Sequence, residues 1–311
     1  MSNYWTEREA KHIEEMLSRH ISYEQEIHRR YKQLWIKIES EIQQFYSNYA
    51  GREKISIEEA KRRVSKHEVQ AFVNKVKLYV QTRDFSKEAN DQLRLYNLTM
   101  KVNRLELLKS SIGIYLTDNT DQLQTYFNNQ LMNEAIEEFK RQAGILGESI
   151  LSEEVYRKFA RAIIDGSFHN ATFSQRLWLN QDILKANVDR LLTVGLIAGK
   201  HPDILARELR KLVVIDSLRG KETADYVARR LMISESSRIQ SEIQKQSYEK
   251  YGYDEYNLIV EPSACPICVG IASANPHKVS EMSPGSNASP IHNWCRCSTA
   301  PAYKDEKSNK R

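Results

Sequence analysis

The sequence predicts a mainly α-helical fold, with an elongated body of several helices and a small α+β module at the C-terminal end. None of the seven prolines occurs before position 202, and a proline inside a helix costs about 3 kcal/mol. In the proline-free part, apolar residues recur every three or four positions, which is the period of an amphipathic helix. All four cysteines lie between positions 265 and 297, where proline, serine and asparagine become frequent.

Composition excludes two broad classes of protein. The 311 residues are 41% hydrophobic and 28% charged, which is enough apolar material for a sizeable core and excludes wholesale disorder. No run approaches the roughly 20 apolar residues that a membrane-spanning helix needs. The first residues also lack the basic-then-apolar pattern of a secretory signal. We therefore expect synthesis in the cytoplasm and no membrane anchor.

The first predicted helix runs from about Tyr4 to Tyr46. Its apolar stripe consists of Ile27, Tyr31, Leu34, Ile38, Ile42 and Phe45. A stripe of this length either packs along other helices of the same chain or contacts another protein. Packing within the chain, as in a helical hairpin, is the favoured alternative.

Capping signals predict the next helices. Two capping boxes, Ser56 with Glu59 and Ser65 with Glu68, each predict a helix start, because the serine can accept from the N3 amide while the glutamate reaches back. Further predicted starts are Asp84 or Ser86, for a helix with leucines up to position 108, and Asp118 or Thr120 for the helix after it. Gly144 and Gly147 are predicted to end this block.

A second block of helices is predicted near 153–165, 174–198, 202–213 and 222–250. Gly199 fits the position after a helix end and Pro202 fits the first turn of the next helix. Gly252 ends the last helix, and alternation over residues 256–260 predicts a strand. The predicted division is a helical N-terminal region for partner contacts (1–147), a helical core (148–252), a Cys/His module (253–303) and a disordered tail (304–311).

One segment is basic. Arg52 to Lys87 contains ten Lys or Arg against five Asp or Glu, an excess equal to the formal net charge of +5 of the whole chain. Its weak candidates for phosphate contact are Lys61, Arg62, Arg63 and Lys66. A solvated helix face is the favoured alternative for such a run.

The chemically specific pattern is Cys265-Pro266-Ile267-Cys268 followed, after 23 residues, by His292-Asn293-Trp294-Cys295-Arg296-Cys297. Thiolate and imidazole are the ligands that Zn²⁺ prefers, and Cys-x-x-Cys places two sulphurs on one turn. The intervening residues are too polar to build a core, so something other than a core must hold the ends together. The sequence thus predicts a zinc-stapled module. The ranked ligands are Cys265, Cys268, His292 and Cys297, with Cys295 as the alternate.

Disulfide bonds are a weaker interpretation of this pattern, because cytoplasmic thiols stay reduced. His277, inside the loop, is interpreted as a surface side chain. The zinc is expected to be structural, since a hydrolytic zinc keeps an open position and a general base nearby. The sequence contains no Gly-rich phosphate loop, no His-Glu-x-x-His and no nucleophile elbow, so we expect no enzymatic activity.

The C-terminal third contains an ordered set of motifs. They are Gly195–Pro202 with Ala206–Leu209, then Ala228–Glu235, Tyr251–Tyr253, Cys265–Cys268 and His292–Cys297. Together they resemble the minor head proteins, or head-morphogenesis proteins, of tailed bacteriophages, the family that includes the F protein of phage Mu. The resemblance covers about residues 190–300, and His-x-x-Cys-Arg-Cys downstream of Cys-Pro-x-Cys is its most specific part.

Two positions depart from the family pattern. Val269–Ala272 stands where many members carry an Asp-Gly pair, and Asn293 stands where relatives often carry proline. The N-terminal helices resemble those of minor head proteins from phages of Gram-positive hosts, best over Ser56–Tyr79.

The resemblance implies a virion protein in few copies, made in the host cytoplasm and located in the capsid interior or near the portal. Its implied partners are the portal protein, the major capsid protein and, without sequence preference, packaged double-stranded DNA. Its implied roles are head assembly, DNA packaging or DNA ejection. Two alternatives stay open, a zinc-stabilised nuclease that uses His292-Asn293 and a non-specific DNA-binding protein.

Overall fold

The computed structural model describes residues 2–49, 65–82, 85–99, 103–147, 151–214 and 223–302. Over these residues the chain is mainly helical, as predicted. The helices are α1 (Ser2–Tyr49), α2 (Lys66–Thr82), α3 (Lys87–Thr99), α4 (Arg104–Leu146), α5 (Glu153–Ile164), α6 (Phe173–Ile197), α7 (Pro202–Val213), α8 (Ala224–Lys250) and α9 (Pro266–Ala272). The strands are β1 (Glu255–Ile259), β2 (His277–Lys278) and β3 (Ser298–Pro301). Among the described helices, none is long and apolar enough to cross a membrane.

The chain divides into two compact units, each built from separated stretches of sequence. Unit 1 comprises residues 1–25, 126–173 and 229–311, and unit 2 comprises residues 26–125 and 174–228. The Cys/His module therefore belongs to unit 1, together with the beginning of the chain. The predicted tail, 304–311, lies outside the described residues.

Helix α1 confirms the apolar periodicity of the first predicted element and extends it at both ends. The six stripe residues are all buried: Ile27, Tyr31, Leu34, Ile38, Ile42 and Phe45. Packing within the chain was therefore the correct alternative for this stripe. These six side chains are not available to a partner.

Two of the predicted caps are confirmed by hydrogen bonds. At the start of α2, the Glu68 amide donates to Ser65 Oγ at 3.3 Å, and the Ser65 amide donates to Glu68 Oε2 at 2.6 Å. This reciprocal pair is the predicted capping box. At the start of α3, the Ala89 amide donates to Ser86 Oγ at 3.3 Å. The box at positions 56 and 59 and the alternative start at position 84 lie outside the described residues.

The predicted helix start at Asp118 or Thr120 is wrong. Helix α4 begins at residue 104, where Asn103 Oδ1 accepts from the Glu106 amide at 2.9 Å, and it continues through both positions. The last leucines assigned to the preceding helix therefore lie in α4. Asp118 and Thr120 are buried, and Lys37 of α1 donates to Asp118 Oδ2 at 3.3 Å. A distant cation, rather than an orphan amide, satisfies this carboxylate.

Of the two glycines predicted to end this block, Gly147 does so and Gly144 does not. Gly144 lies inside α4, whereas Gly147 follows the last residue of the helix with φ of +77°. A left-handed conformation of this kind has little steric cost for glycine, which explains why the helix ends there.

The helices of the second block agree with the prediction to within about a residue at most ends. After α6, Gly199 has φ of +63°, and the Lys200 amide donates to the Gly195 carbonyl at 2.9 Å. This is the Schellman arrangement that glycine permits at a helix end. Pro202 is the first residue of α7, as predicted. Ser152 directly precedes α5, but its side chain makes no capping hydrogen bond.

Close packing of α6 against α7 gives a testable effect. A Cβ built on Gly195 would lie 2.6 Å from Cδ1 of the buried Leu205, whereas a Cβ on Gly144 would meet nothing within 4 Å. We expect Gly195→Ala to lower the free energy of unfolding by about 1 kcal/mol, because overpacking exceeds the gain in helix propensity. The matched control Gly144→Ala should raise it by up to about 1 kcal/mol. Urea denaturation measures both, and equal shifts in one direction would contradict the packing argument.

The C-terminal module contains a small antiparallel sheet in the order β2–β1–β3, which confirms the predicted strand. Side chains of α8 hold its third strand in place. Gln240 donates to Ser298 Oγ at 2.8 Å, and the buried Tyr248 hydroxyl donates to the Thr299 carbonyl at 2.9 Å. Ser298 Oγ in turn donates to Glu9 of α1 at 2.5 Å. Buried hydrogen bonds thus join the module to α1, at the beginning of the chain, and to α8, which directly precedes the module.

Candidate metal centre

The five predicted ligands come from two places in the module. Cys265 directly precedes α9, Cys268 lies in its first turn, and Pro266 occupies the first helical position. His292 and Cys295 lie in the irregular segment that leads to β3, and Cys297 directly precedes that strand. The Cys-x-x-Cys turn at a helix start therefore faces a second group of donors 24 or more positions later in the sequence.

The donor atoms of these residues lie close together. Cys265 Sγ is 3.7 Å from Cys268 Sγ, and His292 Nε2 is 3.1 Å from the first of these sulphurs and 3.2 Å from the second. Cys268 Sγ is also 3.8 Å from Cys295 Sγ. In a tetrahedral site with Zn–S bonds of about 2.3 Å, two sulphurs lie about 3.8 Å apart. The sulphur separations around Cys268 match that spacing.

The orientation of His292 is fixed by its own backbone neighbour. Its Nδ1 lies 2.7 Å from the Asn293 carbonyl, which can only accept, so Nδ1 carries the proton. In the neutral form of this tautomer, the lone pair of Nε2 is available to a metal beside the sulphurs of Cys265 and Cys268. Metal-bound histidines characteristically donate their other ring N–H to a carbonyl or carboxylate in this way.

The structure brings all five predicted ligands into two overlapping groups of three. The first contains Cys265, Cys268 and His292, and the second contains Cys268, Cys295 and Cys297, with donor atoms within 4.8 Å of one another in each group. Cys268 belongs to both. Neither group includes a carboxylate or a second histidine, which the nuclease alternative would require.

The four thiols of the cluster differ in their pKa. A hydrogen bond from the Cys297 thiol lowers the pKa of Cys295 to about 4, and the same bond raises the pKa of Cys297 far above its usual range. Burial raises the pKa of Cys268 to about 12, whereas the backbone amide of Cys268 lowers the pKa of Cys265. A metal that binds Cys268 or Cys297 must displace a proton, so its affinity falls as the pH falls.

Three residues that sequence reasoning missed support the cluster. Ser237 of α8 donates to the Cys295 carbonyl at 2.8 Å, and Ser289 Oγ lies 3.3 Å from Cys295 Sγ, to which it donates. Arg296 donates to Glu24 of α1 at 2.6 Å and thereby fixes the segment between the last two cysteines. No local signal marks these partners, because serine and glutamate are common residues throughout a sequence.

Of the remaining candidates, the structure describes Lys66 and His277, and neither belongs to a metal-ligand group. Lys66 is exposed at the start of α2 in unit 2, and the other three basic candidates, at positions 61–63, lie outside the described residues. His277 belongs to β2, where its Nε2 donates to the Ile271 carbonyl at 3.0 Å. It is half-buried rather than a fully exposed surface side chain, and it contributes no donor to either metal-ligand group.

The part of the chain that contains the cluster matches a known protein family. Residues 186–300 match the family model described as Phage Mu protein F like protein. The matched segment begins within α6, includes all five ligands and ends in β3. No curated protein and no solved structure matches the chain. The resemblance to the bacteriophage head-morphogenesis family is thereby confirmed for this segment.

Proposed function

We propose that the chain is a minor head protein of a tailed bacteriophage, with a structural rather than an enzymatic role. The observation that carries the proposal is the match of residues 186–300 to the Phage Mu F-like family, over the segment that contains the Cys/His cluster. In this role the protein lies in the capsid interior or near the portal. Its partners are the portal protein and the major capsid protein, and it aids head assembly, DNA packaging or DNA ejection.

The proposed cofactor is one structural zinc ion held by Cys265, Cys268, His292 and one thiol of the Cys295–Cys297 pair. The donor set of thiolates and imidazole suits this borderline-soft ion. When bound, the ion supplies directional bonds that hold the two ends of the loop together. The apolar cluster at this place consists of Leu258 and three of the cysteines themselves, with only half-buried neighbours. So small a core needs a covalent or metal constraint to stay folded.

Burial supports a structural role for this centre. Cys268, Cys295 and Cys297 are at most 1% exposed, and the Cys295 backbone is held by α8. A catalytic zinc keeps a position open to substrate, which such enclosed thiols do not offer. No residue of the cluster is therefore assigned a catalytic role.

Quantitative mass spectrometry of purified virions tests the proposed location. We expect the protein in full heads at a few copies per particle, far below the major capsid protein. Heads emptied of DNA distinguish the roles, because a protein that leaves with the genome is lost and one that stays at the portal is retained. Absence from full, infectious particles would contradict a virion role.

A further inference from the structure

The Cys/His cluster holds one more ligand than a single tetrahedral ion uses. Cys268 Sγ lies at its centre, 3.7 Å from Cys265 Sγ, 3.8 Å from Cys295 Sγ and 3.2 Å from His292 Nε2. Cys297 Sγ lies within 4.8 Å of both Cys268 and Cys295. Four donors around one ion would leave one buried thiol of the Cys295–Cys297 pair without a role.

The second group of three has its own ligand chemistry. Cys268, Cys295 and Cys297 offer only sulphur, and each is at most 1% exposed. An all-thiolate site in a water-poor environment selects soft d¹⁰ ions such as Zn²⁺, Cd²⁺ and Cu⁺. The first group, with its partly exposed Cys265 and its histidine, is the mixed sulphur and nitrogen site typical of zinc.

We infer that the cluster binds two thiophilic divalent d¹⁰ ions, with the thiolate of Cys268 bridging them. One ion takes Cys265 and His292 in addition to the bridge, and the other takes Cys295 and Cys297. A thiolate sulphur keeps lone pairs after it binds one ion, so the same atom can bind a second. This inference rests on the metal centre of the proposed function and extends it from one ion to two.

Charge balance favours two divalent ions at this buried place. Four thiols release four protons to solvent, and the four negative charges that remain equal the charge of two divalent cations. One divalent ion with three thiolates and a neutral histidine would instead leave a net negative charge in the cluster, which is costly where water is excluded. Ser289 donates a hydrogen bond to Cys295 Sγ at 3.3 Å, which stabilises negative charge on that sulphur.

Cadmium titration of the full-length chain tests the inference. Reduced, metal-free protein is titrated with Cd²⁺ and the bound ions are counted by native mass spectrometry after gel filtration. We expect two ions per wild-type chain, one in Cys297→Ser and two in His277→Ala, whose histidine lies in the same module but outside both groups. In ¹¹³Cd NMR, the wild type should give two resonances split by coupling through the Cys268 sulphur.

Each alternative result has a distinct meaning. One ion at saturation in both wild type and Cys297→Ser would overturn the second site and leave the proposed single metal centre standing. No bound ion in the wild type would overturn both. Far-UV circular dichroism of each variant identifies a general loss of helix, and Cys295→Ser provides a second test of the all-sulphur group with the same expected count of one.

Discussion

Replacing His292 with alanine is expected to lower the zinc affinity by more than about 100-fold, which exceeds the usual cost of losing an outer-shell contact. His292 Nε2 lies 3.1 Å from Cys265 Sγ and 3.2 Å from Cys268 Sγ. Its loss therefore removes the nitrogen ligand from the donor set. In small zinc modules the binding free energy, about 10–16 kcal/mol, is also folding free energy. We therefore expect residues 255–301 to become sensitive to protease in the variant while helices α1 to α8 stay folded. Elemental analysis and limited proteolysis measure the two effects.

His277→Ala is the matched control for this change. The two histidines belong to the same module, but His277 is in neither metal-ligand group and donates a hydrogen bond to the Ile271 carbonyl at 3.0 Å. Its removal should cost about 0.5–1.5 kcal/mol and leave the zinc content unchanged. Chelation of zinc from the wild type should reproduce the His292→Ala cleavage pattern. If His292→Ala kept stoichiometric zinc and resisted protease, a structural metal held by this histidine would be excluded.

Replacing Arg141 with methionine is expected to lower the free energy of unfolding by about 3–5 kcal/mol, because two buried carboxylates lose the guanidinium that pairs with both. Arg141 donates to Glu9 at 2.6 and 3.1 Å and to Glu138 at 2.6 and 2.7 Å. Both glutamates are at most 5% exposed. Two carboxylates in this environment depend on the single guanidinium that faces both. Urea denaturation at neutral pH measures the loss.

An exposed pair of the same kind controls for the removal of an arginine. Arg157 pairs with Glu153 at 2.7 Å on the surface of α5, where the side chains are 52% and 54% exposed. Arg157→Met should leave the free energy of unfolding nearly unchanged, because an exposed ion pair contributes little to stability. Adding Glu138→Gln to Arg141→Met should recover part of the loss, since it removes one buried charge. Similar costs for the two arginine variants would show that the buried network contributes little.

The effect of Arg141 should depend on pH. Burial alone would raise the pKa of Glu138, but the charge and hydrogen bonds of Arg141 outweigh it and lower that pKa below its ordinary value of 4.5. A carboxyl whose folded pKa is depressed stabilises the protein above the unfolded pKa, and that contribution is lost as the pH falls through the folded value. The difference in stability between wild type and Arg141→Met should therefore narrow below about pH 4.5.

Helix ends that depend on local chemistry could be predicted from the sequence. Gly199 and Gly252 adopt positive φ after helices, and Pro202 begins one, because these residues have strong intrinsic preferences. The start at Asp118 was wrong for the opposite reason. An aspartate also fits a helix interior when a distant cation approaches it, and nothing near position 118 indicates that Lys37 does so.

The same distinction between local and distant interactions holds for the candidate metal centre. Spacing predicted that these five side chains come together, since Cys-x-x-Cys and His-x-x-Cys-x-Cys restrict which atoms can meet around one ion. The partners that orient these donors could not be predicted. Ser237 and Glu24 reach the segment around Cys295 from helices 58 or more positions away, and only the packing of unit 1 places them there.

The hydrogen bond between Ser298 and Glu9 joins residues 289 positions apart and has a consequence for biosynthesis. All residues of unit 2 have been synthesised once residue 228 has left the ribosome. Unit 1 cannot be completed until the last strand, β3, has also been synthesised. At about 5–20 residues per second, translation of the intervening 70 residues takes roughly 4–14 s. During this interval the early helices of unit 1 lack the partners that cover their apolar faces. Nascent chains should therefore engage chaperones through residues 1–25 and 126–173, and become released from them when β3 emerges and the cysteines can bind metal.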